Sequence, residues 1–167
     1  KQPTAEPIAV SLRTLRFRFP DAAHDVETLM ADWKGRALYV VTKETTGPSF
    51  IYKVEPVWDG AVQTAVKVGQ VTFSDPIPQF TNLATGGDIA PDGSRIIVRT
   101  YQQAYEWTVA RGELPEDAMK RSPTVVPIML ERQGEAICYG VNAKAIITTT
   151  EGTPTPVSVL TWKRGGG

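Results

Sequence analysis

Apolar and polar positions alternate with a period of two along nearly the whole chain, and the 3.6-residue period of an amphipathic helix is almost absent. Leu12–Phe19 (LRTLRFRF) alternates apolar and basic residues, which predicts a half-buried strand with Arg13, Arg16 and Arg18 toward solvent. Val26–Ala31 and Ala37–Thr42 flank Asp32-Trp33-Lys34-Gly35, a hairpin turn. Phe50–Val54, entered through Gly47-Pro48, and Ala65–Phe73 predict two more strands, and a Pro-containing polar loop, Ser74–Thr85, follows. The order then repeats. Gly87–Ala90, the turn Pro91-Asp92-Gly93, Arg95–Thr100 and Ala104–Val109 lead through a polar insert (Glu113–Lys120) to Val125–Leu130. A third round runs Glu135–Tyr139, a turn around Asn142, Ala145–Thr150 and, past Gly152, Pro154 and Pro156, Val157–Trp162. One short turn near Pro115–Met119 is the only helix expected, and it is marginal in isolation.

Three stretches carry the repetition: Glu27–Lys43, Asp88–Tyr101 and Glu135–Glu151. Each reads acid, short apolar strand, turn, second apolar strand, polar or charged residue. The first and third align without a gap, Glu27 on Glu135, Gly35 on Ala143 and Lys43 on Glu151. A hairpin recurring at intervals of roughly 50–60 residues marks a radial or stacked β architecture. The chain is therefore expected to be all-β: a partial β-propeller of about three four-stranded antiparallel blades, half of a six-bladed ring or similar. The expected organisation is an extended tail at 1–11, a propeller part at 12–163 with units near 12–75, 84–130 and 133–163, and a flexible tail at 164–167. Leu12–Phe19 would be the outer strand of a blade preceding the first unit. Three blades are too few to close a ring. The open edges are expected to meet the remaining blades of the same protein or a second copy. The start at Lys1 and the closing Gly165-Gly166-Gly167 read as a removed leader or cut ends.

Composition narrows the function. Lys and Arg total 18, as do Asp and Glu, so the formal net charge is zero and no basic excess points to nucleic acid. No apolar run is long enough to span a bilayer. The single cysteine, Cys138, sits in an apolar strand pattern and reads as a small buried hydrophobe. Trp33, Trp58, Trp107 and Trp162 fall at turns or strand ends, with packing as their expected role and sugar stacking as the alternative.

HDVETLMADWKGRALYVVTKE, GGDIAPDGSRIIVRTYQQAYEW and QGEAICYGVNAKAIITTTEG resemble the later blades of secreted bacterial TolB/WD40-like β-propeller proteins. In those, a D-x-E-(A/T)-L strand, an S-P-D-G turn with L-R-T-Y and a Q-G-E-(A/S)-I strand with S-E-G follow in this order. The likeness covers most of Phe19–Gly152 and implies the fold, a secreted or periplasmic location and no settled activity. The third unit departs from the pattern: Gly140-Val141-Asn142-Ala143 stands where a Pro-Asp-Gly-like turn is usual, and Ala143 lacks a glycine's conformational freedom.

In a blade the first strand starts, and the second ends, on the same rim. That geometry is expected to gather His24, Asp25, Glu27, Asp88, Gln133 and Glu135 with Lys43, Arg99, Tyr101 and Glu151. Asp25, Glu27, Asp88 and Glu135 are the candidate ligands if such a rim holds Ca²⁺. The plainer expectation is that each acid pairs with Lys43, Arg99 or a backbone N–H and ties neighbouring blades together. His24, the only histidine, reads as a solvated loop residue, with general-base work as the sharper alternative. Serines lack a strand–elbow–helix setting, and one His with one Cys falls short of a zinc site. The function expected is a binding or scaffold module presenting the rim to a small ligand, glycan or protein. The alternatives are a Ca-assisted hydrolase of phytase-like or lactonase-like propeller type, and self-assembly through open blade edges.

Overall fold

A computed structural model describes residues 11–77, 82–131 and 133–161; both tails beyond these, residues 78–81, Arg132 and Trp162 lie outside them. Strand β1 (Arg16–Arg18) keeps only the centre of the basic strand, with Arg16 and Arg18 exposed and Phe17 half-buried. Strands β2 (Val26–Asp32), β3 (Ala37–Thr42) and β4 (Ser49–Val54) form an antiparallel meander. Short β5 (Val62–Thr64) leaves it to pair with β1, and β6 (Val66–Val71) completes it as the fourth strand. The β1–β5 ladder is parallel and, among the described residues, stands as a two-stranded sheet apart from the three larger ones.

Sheet 2 repeats the meander with β7 (Ala84–Ile89), β8 (Arg95–Thr100), β9 (Ala104–Thr108) and, after α1 (Pro115–Ala118), β10 (Thr124–Val126). The helical turn starts on a proline at its first position, where the missing N–H costs nothing. Sheet 3 has three strands: β11 (Gly134–Tyr139), β12 (Ala145–Thr150) and β13 (Val157–Thr161). The first strands β2, β7 and β11 pack side by side, so the sheets radiate as blades of a partial β-propeller. Small residues allow the close approach. A Cβ on Gly86 would lie 2.5 Å from the Glu135 carbonyl oxygen, and one on Gly87 would lie 2.9 Å from Thr28 Cγ2.

Period-two alternation in β8 gives sheet 2 two apolar faces. Ile96 and Val98 join Met30, Tyr39, Ile51, Phe73, Tyr105 and Trp107 in the core between sheets 1 and 2. Ile97 faces the other way, onto Ile137, Tyr139 and Ile146 of sheet 3. Each such fully buried Ile or Val is worth about 1.5–3 kcal/mol over exposure. The outer face of sheet 1 is covered by Leu15, Phe17 and Phe19, packed on Val40, Tyr52 and Val54.

Ala143 takes the left-handed conformation of Gly93, at φ 54° against 69°. The turn bonds match as well: Ala143 N–H donates to Gly140 O and Gly93 N–H to Ala90 O, both at 2.7 Å. The alanine thus makes the glycine's turn at a conformational cost on the order of 1 kcal/mol. In the first hairpin the left-handed residue is Arg36, one place after Gly35.

Three packing expectations are corrected. Cys138 is exposed, because among the described residues no sheet packs on its face of sheet 3. Trp33 and Trp58 are 81% and 50% exposed, at loops that no sheet covers, while Trp107 alone of the described tryptophans is buried. The Val125–Leu130 strand shrinks to Thr124–Val126, since Pro127 ends the ladder with β9.

Candidate functional site

A β-bulge recurs at the same place in the first strand of every sheet. The register slips between Val26 and Thr28, between Ala84 and Gly86, and between Gly134 and Ala136. The bulged residues are therefore Glu27, Thr85 and Glu135. Bulges re-aim side chains, and these occur where the strands open onto one rim. The next strands end at Lys43, Tyr101 and Glu151, which follow β3, β8 and β12 directly. Two backbone bonds close this end, from Lys43 N–H to Asp25 O at 2.9 Å and from Glu151 N–H to Gln133 O at 3.0 Å.

The rim side chains form a relay across three sheets. Lys43 Nζ donates to Glu27 Oε1 at 2.8 Å and to Tyr101 Oη at 2.9 Å, and it lies 4.9 Å from the Tyr101 ring centre. Tyr101 Oη–H reaches Glu135 Oε1 at 3.5 Å, and the charge of Glu151 bears on Glu135. Burial pulls the Lys43 ammonium down, but the bonds to Glu27 and Tyr101 outweigh it and hold its pKa above the ordinary value. The Glu135 carboxyl is pushed up, by burial first and then by the negative charges of Glu151 and Glu27. Two neighbouring acids, Glu135 and Glu151, thus stand beside a tyrosine hydroxyl and an anchored ammonium.

Five expected residues, Glu27, Lys43, Tyr101, Glu135 and Glu151, come together. Asp25 and Gln133 adjoin them, with exposed side chains and bonded backbone carbonyls. Three do not join. Asp88 lies three residues further along β7 than the rim position, and its Oδ2 accepts the Tyr139 N–H at 2.9 Å, tying sheet 2 to sheet 3. Burial raises its pKa, against the opposing N–H bonds of Tyr139 and Ile89. Thr85 occupies the rim place instead, its Oγ1 donating to Gly134 O at 2.9 Å. Counting back from the turn would have found it: Glu27, Thr85 and Glu135 each lie eight residues before Gly35, Gly93 and Ala143, whereas Asp88 lies five before.

Arg99 is also displaced, fully buried between sheets 2 and 3. Its Nη1 donates to Glu131 Oε2 at 2.8 Å and to Ala136 O at 3.1 Å, and its Nε to Thr100 O at 3.2 Å. Glu131, which sequence reasoning missed, also accepts Thr148 Oγ1–H at 2.8 Å. His24 is packed rather than solvated. Its ring sits edge-on to Phe19 and Phe50, with Nε2 3.1 Å from Asp21 and Nδ1 3.3 Å from Glu44. A second missed acid, Glu116 of α1, accepts the Tyr39 hydroxyl and lies 3.1 Å from Lys53 Nζ, stapling sheet 2 to sheet 1.

The four acids expected to hold Ca²⁺ do not fit it together. Glu27 already bonds an ammonium, Asp88 turns to a backbone N–H, and no three His, Cys, Asp or Glu among the described residues form a metal-holding group. No helix among the described residues is long and apolar enough to cross a membrane.

No protein-family model matches the sequence, and neither does any curated protein. Solved structures do match in fold. The chain superposes on the periplasmic gluconolactonase of Pseudomonas aeruginosa with a TM-score of 0.54 at 10% identity, over 90% of this chain and 46% of that one. At that identity the likeness is one of fold, and the chain spans about half the length of the propeller it matches: it is a partial, all-β propeller.

Proposed function

We propose that the chain is a binding module, part of a secreted or periplasmic β-propeller related to the TolB/WD40-like proteins, that presents its strand-end rim to a small polar ligand. One observation carries this reading: the repeated bulge aims Glu27 and Glu135 from two separate sheets at Lys43 and Tyr101, which join them in one hydrogen-bonded relay. The rim has three carboxylates, Glu27, Glu135 and Glu151, against one ammonium, so it favours ligands rich in hydroxyl donors or carrying a protonated amine. An amino sugar meets both needs. A Ca-assisted hydrolase would need Glu27 and Asp88 released from Lys43 and the Tyr139 N–H.

Backbone-amide NMR titration with glucose, glucosamine and calcium chloride tests this. Glucosamine should perturb amides around Lys43, Tyr101, Glu135 and Glu151 at millimolar concentration and bind more tightly than glucose, and Tyr101→Phe with Lys43→Met should remove the effect. Perturbation by none of the sugars, or perturbation confined to other regions, would sink the reading. A shift driven by calcium at Glu27 and Glu135 would revive the metal alternative.

A further inference from the structure

Strand β2 carries Glu27 of the rim near one end and Asp32 at the other. At that far end, the hairpin turns of sheets 1 and 2 and the loop after β9 enclose a cleft of about 450 Å³. Its walls come from the turn at 32–35, the turn at 92–94 and the loop at 109–115. A cleft of that volume is in the range of small-molecule sites. The walls are tied to one another. Lys34 reaches from the first turn to the second, where its Nζ donates to Asp92 O, and a Cβ on Gly93 would lie 3.2 Å from Lys34 Cδ. Val109 N–H donates to Ser94 O at 2.8 Å and joins the loop to the second turn. The loop closes on itself through Glu113 N–H to Ala110 O at 3.0 Å and Ala110 N–H to Glu113 Oε2 at 2.8 Å. Arg121 then bonds both Glu113 oxygens and the Thr108 carbonyl. A site held in this way gives up little freedom when a ligand enters.

Three acids line the cleft, and two of them are engaged. Asp92 Oδ1 accepts the Ser94 N–H at 3.0 Å and the Ser94 hydroxyl at 2.6 Å, and Glu113 bonds Arg121. Asp32 differs. It is only 8% exposed, and its one hydrogen bond is from Lys34 N–H to Oδ1 at 3.1 Å. Its Oδ2 packs on Gly35, where a Cβ would lie 2.1 Å away, and meets no donor or cation among the described residues. So nearly buried a carboxylate is costly to keep charged with a single backbone bond, unless a cation comes to it. Two cations of the cleft also have capacity to spare. The only hydrogen bond of the Lys34 ammonium is to a carbonyl, and exposed Arg111 forms no ion pair among the described residues. The rest of the wall is apolar, from Val109, Leu114 and Pro115.

We infer that this cleft binds a short zwitterionic peptide with apolar side chains. The free ammonium end meets Asp32 Oδ2 and supplies the counter-charge that the protein withholds. The free carboxylate end meets Lys34 and Arg111, and a guanidinium is suited to bond a carboxylate through two N–H groups. The apolar side chains lie along Val109, Leu114 and Pro115. An anion alone would leave Asp32 unpaired, and an amine alone would leave both cations unused. The site is at the opposite end of β2 from the rim and does not depend on the rim reading.

Backbone-amide NMR titration of the 167-residue chain with three forms of the dipeptide alanyl-leucine tests it: free, N-acetylated and C-amidated. The free dipeptide should perturb the amides of Lys34, Gly35, Gly93, Ser94 and Gly112 at millimolar concentration and leave those of Lys43 and Tyr101 in place. Each cap removes one charged contact and should weaken binding about tenfold or more. Asp32→Asn keeps an oxygen for the Lys34 N–H. It should weaken the free dipeptide by about the same factor and leave the N-acetylated form unchanged. Arg111→Ala alters an exposed side chain, so the fold persists; it should weaken the free dipeptide and spare the amidated one. Perturbation of none of these amides by the free dipeptide overturns the inference. Equal affinity for the free and capped forms, or binding that neither substitution weakens, overturns it as well.

Discussion

Replacing Glu131 by Gln should destabilise the protein by about 3 kcal/mol, because it strips the counter-charge from a guanidinium that water cannot reach. Arg99 is 0% exposed and the Glu131 side chain 4%, with 2.8 Å between Nη1 and Oε2. The guanidinium also presses on the backbone, since a Cβ on Gly134 would lie 1.7 Å from Nη2. There is no room for a replacement anion, and Nη2 already lacks a hydrogen-bond partner among the described residues. Removing one member of such a pair typically costs about 3–5 kcal/mol, and Gln sits at the lower end because its carbonyl still accepts a bond. Set against a total stability of about 5–15 kcal/mol, that is a large loss. It corresponds to a fall in melting temperature of about 6–12 °C for a chain of this size. Urea unfolding at pH 7, followed by the fluorescence of buried Trp107, measures it. The double variant Arg99→Met with Glu131→Met removes both charges and should recover most of the loss, because the desolvation penalty vanishes with the pair. A cost below about 1 kcal/mol for Glu131→Gln, or no recovery in the double variant, would refute the buried-pair argument.

Gly86→Ala should cost about 1–3 kcal/mol in the same assay, since its Cβ would meet the Glu135 carbonyl oxygen at 2.5 Å and backbone cannot rotate away; a loss under about 0.5 kcal/mol would mean that β7 and β11 are not so close. The two rim acids should respond oppositely. Glu135→Gln should gain thermal stability relative to wild type as pH rises: burial, then Glu151 and Glu27, raise its folded pKa, so the ionised form is penalised above the ordinary carboxylate range and not below it. Melting curves at pH 4 and pH 7.5 check this, and an advantage that shrinks toward pH 7.5 contradicts it. Glu27→Gln loses a partly exposed bond to Lys43 and should fall by about 0.5–1 kcal/mol at pH 7.

The hairpins, their order and most of the rim were legible in the amino-acid sequence. Strand alternation is a local, period-two signal, and turn residues such as Asp92-Gly93 mark its ends. Glu27, Lys43, Glu135 and Glu151 were found because their units align without a gap. Asp88 was misplaced because matching acid to acid ignored the distance to the turn, and a shift along β7 moves a residue from rim to interior. What the chain could not announce was which sheet face receives a neighbour. Cys138 and Met30 occupy the same repeat position, yet one is exposed and the other buried, because sheet 2 lies over that face of sheet 1 and, among the described residues, no sheet lies over that face of sheet 3. Arg99, Glu131, Glu116 and His24 likewise owe their roles to partners from distant segments, since burial and ion pairing depend on what packs alongside and not on local pattern.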